Sequence, residues 1–171
     1  MIRKTLAGSL LAFAVPAWGI DGVSAEAGWQ KDVTMARAGV QWNWERRWFA
    51  EGSWQLGGYW DLAAGIWNDK GGDERLDVGI TPVFRYERKA GGSPYFEAAI
   101  GFHLISDSNI TEDKIFGTAF QFGDHIGAGV RFGEGNRYDL SLRIQHLSNG
   151  GIRNPNPGID FVQLRLQLHL P

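Results

Sequence analysis

The sequence has no cysteine, six prolines and two methionines in 171 residues. Without cysteine there is no disulfide framework, no cysteine-ligated zinc and no thiol nucleophile. No apolar run reaches the roughly 20 residues that a membrane-spanning helix needs. Charge of one sign is not in excess either: 17 Lys and Arg face 19 Asp and Glu, for a net charge of −2. With both signs interspersed, the basic footprint of a nucleic-acid binder is missing. What the chain does have is glycine and aromatics. It carries 24 Gly, 8 Trp, 10 Phe and 4 Tyr, and its glycine content is about twice the ordinary share of roughly 7%. Such a composition excludes disorder, and the length fits one domain. Eight tryptophans beside a mean hydropathy of only −0.25 are the feature to explain.

The first 19 residues read as an export signal. Arg3 and Lys4 precede an apolar run from Leu6 to Val15, followed by Pro16 and small residues. This is the layout of a secretory leader, with cleavage expected after Ala17 or Gly19. Residues 20–171 then form a single domain.

Period-two alternation runs through that domain. It is clearest at the end, where Val162, Leu164, Leu166, Leu168 and Leu170 interleave with Gln163, Arg165, Gln167 and His169. Tyr138, Leu140, Leu142 and Ile144 alternate in the same way, as do Phe120 to Phe132, Phe96 to Leu104, Leu76 to Tyr86, Trp48 to Leu62, and Ala36 to Trp44. These make seven strands. Bacterial single-chain barrels use an even number, and Val23, Ala25, Ala27 and Trp29 supply the eighth. Cleavage after Ala25 would cut this strand.

Alternation alone also fits a soluble sandwich or barrel with its apolar face inward. Three features favour a membrane barrel. Aromatics gather near predicted strand ends, with Trp42, Trp44 and Trp48 around one turn and Trp60 and Trp67 toward the other edge, as in interfacial girdles. Short turns at 45–47, 89–93 and 133–137 alternate with longer loops at 68–75, 106–117 and 149–158. Several segments also reach the 9–11 residues of a tilted membrane strand. The expected fold is therefore all-β, an eight-stranded antiparallel transmembrane barrel of the outer-membrane type. His103 and His125 fall on the inward phase and read as members of a polar lumen.

Polar residues interrupt the lipid-facing phase near the outer rim. Extending that phase past Ile144 reaches His146 and Ser148, and extending it back from Val162 reaches Asp160. A hairpin about 149–158 puts His146 opposite Asp160, with Ser148 two residues along the same face. Same-face neighbours lie about 6.6 Å apart, a gap that a Ser–His hydrogen bond can bridge. Ionisable groups facing hydrocarbon are costly and point to function. Acid, imidazole and hydroxyl in series are the parts of an acyl-transfer triad, and Asn149, Gly150 and Gly151 follow with donors for an anionic intermediate.

The stretch from Gln145 through His146-Leu147-Ser148-Asn149-Gly150-Gly151 to Pro155-Asn156-Pro157-Gly158-Ile159-Asp160 resembles the C-terminal signature of the PagL-type lipid A 3-O-deacylases. The segments 117–127 and 58–61 resemble that family too. The resemblance implies removal of the ester-linked 3-position acyl chain of lipid A by a barrel in the bacterial outer membrane, with its site toward the outer leaflet. By motif position Ser148 is the nucleophile, His146 the base and Asp160 the orienting acid, where the family's pattern has Glu. Asn149 and Gly151 are the oxyanion-hole candidates. The expected partners are lipopolysaccharide and outer-membrane lipids, with a homodimer left open; no cofactor, metal or nucleic acid is called for. The rival reading is a non-enzymatic small barrel whose outer loops adhere or bind.

Overall fold

The computed structural model describes residues 19–91, 94–111 and 114–171. The expected leader lies outside the described residues except for Gly19. Eight long strands, each antiparallel to its neighbours, form a closed barrel in the order β1-β10-β9-β8-β5-β4-β3-β2. They are β1 (Gly22–Gln30), β2 (Val33–Asn43), β3 (Trp54–Asp69), β4 (Glu74–Arg88), β5 (Tyr95–Ile105), β8 (Phe120–Phe132), β9 (Tyr138–Ser148) and β10 (Ile159–His169). Two short strands, β6 (Asn109–Thr111) and β7 (Lys114–Ile115), form a small hairpin within the loop between β5 and β8. The expected eighth strand is β1, and it closes the sheet against β10 with Ala25 opposite Leu166. Closure leaves no free sheet edge, as a barrel in lipid requires.

Exposure decides between the soluble and the membrane reading. Ile100 is 63% exposed, Ile126 65% and Leu142 54%, while Arg37, Asp77, Arg85, Glu97, Arg143 and Arg165 are buried. A soluble barrel has the opposite arrangement. Here the apolar band faces outward and the charges fill the lumen. The lumen is no open pore. Asp139, Arg85, Glu97, Arg143, Glu26, Arg37, Asp77 and His103 form a continuous chain of ion pairs across it. His103 and His125 lie in this interior as expected, and His103 Nδ1 is 3.0 Å from Asp77 Oδ1.

The start of β1 at Gly22 and the end of β10 at His169 lie at one rim, and the far rim is closed by an apolar plug. Val33, Met35, Trp67, Leu147, Ile159 and Phe161 point inward there and bury against Ile110 and Phe116 from the β5–β8 loop. Trp67 is therefore no girdle residue: it is fully buried, with its ring centroid 5.0 Å from that of Phe161. The inward phase turns apolar at this end because the loop folds in and supplies a partner surface. Trp60 also departs from expectation. It lies opposite Trp42 and packs edge-on to Trp44, so it joins the aromatic cluster of the terminal rim.

Two turns differ from the sequence reading. Residues 45–47 are not the turn between β2 and β3. The chain continues past them to a bridge between Trp48 and Leu56 and reverses only after it, because Trp48 prefers the aromatic surface around Trp44. The expected long loop at 68–75 shrinks, since β3 and β4 stay paired as far as Asn68 and Glu74. Arg75 holds this tip by donating to Asp69 Oδ2 at 3.1 Å.

Candidate active site

The β9–β10 hairpin carries its inward and outward residues to different tasks. Leu147 and Ile159 point inward and are wholly buried in the plug. The intervening residues His146, Ser148 and Asp160 project from the outer wall. The plug thus fixes the strand from behind, so the outward side chains stand on an immobile support. The register is the expected one, with Asp160 opposite His146. His146 Nδ1 lies 2.7 Å from Asp160 Oδ1. A carboxylate accepts only, so Nδ1 carries a proton, and in the neutral ring the lone pair is left on Nε2.

Ser148 stands one same-face step from His146 at the barrel edge, but it makes no side-chain hydrogen bond among the described residues. The structure therefore joins acid to imidazole and brings the hydroxyl alongside without closing the second link. Hydrogen bonds of this kind are often long before substrate arrives.

Asn149 points inward and is fully buried. Its Nδ2 donates to Arg153 O at 2.7 Å, and its Oδ1 accepts from Gly151 N at 3.0 Å. Its backbone N–H donates to Asn156 Oδ1 at 2.9 Å. The two residues expected to offer oxyanion donors are thus bonded to each other inside the loop. Gly150 sits between them, beside the Phe122 ring on the lipid side.

Gly158 closes the loop on the other side. Its φ of +65° favours glycine, and a Cβ there would come within 2.6 Å of His146 Cε1. The glycine leaves the space that the imidazole occupies. The β5–β8 loop holds this turn from outside: Gly117 N donates to Pro155 O at 2.6 Å, and Lys114 Nζ donates to Gly158 O at 3.1 Å.

One further carboxylate was not singled out by sequence. Asp124 on β8 lies opposite His146 on the flank away from Asp160, exposed on the lipid face. Its signal was available, because it is the one charged residue between Phe122 and Ile126 on an otherwise apolar phase. From Asp124 and His146 a groove of about 730 Å³ runs over Ile144, Ile126, Ile100 and Ala98 to Phe84 and Pro82. It crosses β9, β8, β5 and β4, so three interstrand spacings give it a length of roughly 14 Å. An extended chain advances roughly 1.2 Å per bond, which fits about a dozen methylenes.

The chain is similar to proteins already known. The family described as lipid A 3-O-deacylase (PagL) matches residues 34–169. A relative from Pseudomonas aeruginosa named lipid A deacylase PagL is 36% identical over 133 residues, covering 75% of this chain and 73% of the relative. A relative of the same name from Bordetella bronchiseptica is 40% identical over 117 residues, covering 68% of this chain and 54% of its own length. The crystal structure of the outer membrane enzyme PagL superposes with a TM-score of 0.76 at 30% identity. That match covers 87% of this chain and 99% of the solved one.

Proposed function

This chain belongs to the lipid A 3-O-deacylase (PagL) family, and from that premise we propose that it hydrolyses the 3-position acyl ester of lipid A with Ser148, His146 and Asp160. The observation that carries this reading is the 2.7 Å contact of His146 with Asp160 on the lipid-facing wall. An ionisable pair there costs free energy that packing does not return.

In the reaction, Ser148 Oγ attacks the ester carbonyl while His146 Nε2 takes its proton. The carbonyl π pair moves onto oxygen, and the tetrahedral intermediate collapses with loss of the sugar oxygen, which receives the proton from the imidazolium. Water then repeats the sequence on the acyl-Ser148 ester and releases the fatty acid. Asp160 fixes the imidazole tautomer and stabilises its charged form. For the oxyanion, the Gly151 N–H exchanges its bond to Asn149 Oδ1, and Asn149 Nδ2 its bond to Arg153 O, for bonds to the intermediate. On this reading the far rim lies in the outer leaflet, so the triad meets the ester at the headgroup–hydrocarbon boundary. The acyl chain descends from it along the groove toward Phe84.

The direct test is expression in a host whose lipid A keeps its 3-position chain. Mass spectra should show lipid A lighter by one hydroxyacyl group. Unchanged lipid A from a correctly assembled barrel would favour the non-enzymatic reading.

The groove yields a separate prediction. Ala98 is the small residue in the row formed by Ile144, Ile126 and Phe84. Ala98→Trp should block the lower half of the groove and reduce kcat/KM for long-chain esters by about tenfold, leaving short-chain esters nearly unaffected. Equal loss on both chain lengths would remove the groove from the substrate's path.

A further inference from the structure

The β5–β8 loop lies far from the triad in sequence, yet it delivers one cation to the triad's support. Lys114 on β7 donates from Nζ to the carbonyl of Gly158, at 3.1 Å and partly buried. The same glycine leaves room for His146, since a Cβ on it would fall within 2.6 Å of Cε1. Gly158 leads directly into Ile159 and Asp160, so its peptide also sets where the acid enters β10. Phe116, two residues beyond Lys114, is buried in the plug together with Leu147 and Ile159. Gly117 grips Pro155 one turn earlier in the catalytic loop. The loop is therefore anchored below by an apolar contact, and among its described residues Lys114 reaches Gly158 beside His146 with its side chain. A lysine making an ordinary surface contact would send its ammonium to water or to a carboxylate. Here it spends a proton on a backbone carbonyl, and a charge-assisted bond of this kind is about twice as strong as a neutral one.

We propose that Lys114 is a positioning residue for the deacylation reaction. By holding the Gly158 carbonyl it keeps the glycine backbone against His146 and fixes the ring in the rotamer that meets Asp160. This inference rests on the triad assignment and adds to it a second loop that the chemistry requires. Losing the bond lets the 158–160 segment shift, and a shift of about 1 Å at a reacting group can cost up to about a hundredfold in rate.

The test uses the full-length barrel in detergent micelles with purified lipopolysaccharide. Lys114→Met keeps the aliphatic stem and removes the donor, and Lys114→Gln is a second variant that keeps a neutral one. Both should retain the heat-modifiable mobility of the folded barrel. Lys114→Met should lower kcat by roughly ten- to a hundredfold with KM nearly unchanged, with Lys114→Gln in between. Lys114→Arg should restore most of the rate. Wild-type kcat in Lys114→Met overturns the proposal, as does a loss that Lys114→Arg fails to restore. An effect confined to KM overturns it as well, and would put the ammonium on an anionic group of the substrate. Failure of the triad reading is seen separately, as activity persisting in Ser148→Ala.

Discussion

Ser148→Ala and His146→Ala should each abolish release of hydroxy fatty acid from lipopolysaccharide while leaving a folded, heat-modifiable barrel. The expected fall in kcat is at least about 10⁴-fold, because nucleophile and base act as one unit and either deletion removes the covalent route. Both side chains point away from the plug and the lumen, so neither holds the barrel together. Asp160 separates orientation from chemistry. Asp160→Asn keeps a hydrogen-bond partner for Nδ1 but no longer stabilises the imidazolium, and its amide can hold the ring in the wrong tautomer. The rate should fall by about 10³-fold or more. Asp160→Glu should retain most activity, since the exposed carboxylate has room to extend over the hairpin. Deacylation persisting in both Ser148→Ala and His146→Ala, read in lipid A mass spectra, would refute the triad. A Glu variant as inactive as the Asn variant would show that reach, as well as charge, limits the acid.

The parts of this site that follow from period two were legible in the sequence. Strand phase places His146, Ser148 and Asp160 on one face, and the length of the 149–158 loop sets the pairing of His146 with Asp160. Tyr138–Ser148 and the start of the last strand at Ile159 were likewise readable. What alternation does not encode is where a loop goes once it leaves the sheet. Ile110 and Phe116 of the β5–β8 loop join Trp67, Leu147 and Phe161 in a plug, so an aromatic near a strand end, read as girdle, lies inside the barrel. The same loop brings Lys114 to Gly158 across 44 residues. Asn149 shows a different limit. Its residue type announces an amide beside the nucleophile, but its strand phase directs that amide inward, where it braces the loop. Motif position suggests a role for a residue, whereas backbone phase determines what its side chain can touch before substrate binds.

Glu97→Ala should destabilise the barrel more than any of the active-site changes while leaving the triad geometry intact. Glu97 is buried at the centre of the lumen, where Oε1 accepts from Arg85 Nε at 2.9 Å and Tyr59 Oη at 2.8 Å. Its Oε2 accepts from Arg143 Nη2 at 2.8 Å. Removing this carboxylate leaves two guanidiniums facing each other in a space from which they cannot reach bulk water. Arg85 still has Asp139 and Arg143 still has Glu26, so the network is interrupted rather than dissolved. Breaking a buried pair by deleting one partner costs about 3–5 kcal/mol. The temperature at which the folded band converts to the unfolded one in a gel should fall accordingly, while kcat measured well below that temperature should stay near the native value. An unchanged conversion temperature would mean that outward packing against lipid and strand closure, not the luminal charges, hold the barrel. The pairing of this result with Ser148→Ala is informative because the two residues lie on opposite faces of one wall. One change should remove chemistry without stability, the other stability without chemistry, as expected if lumen and outer face divide those tasks between the two faces of the sheet.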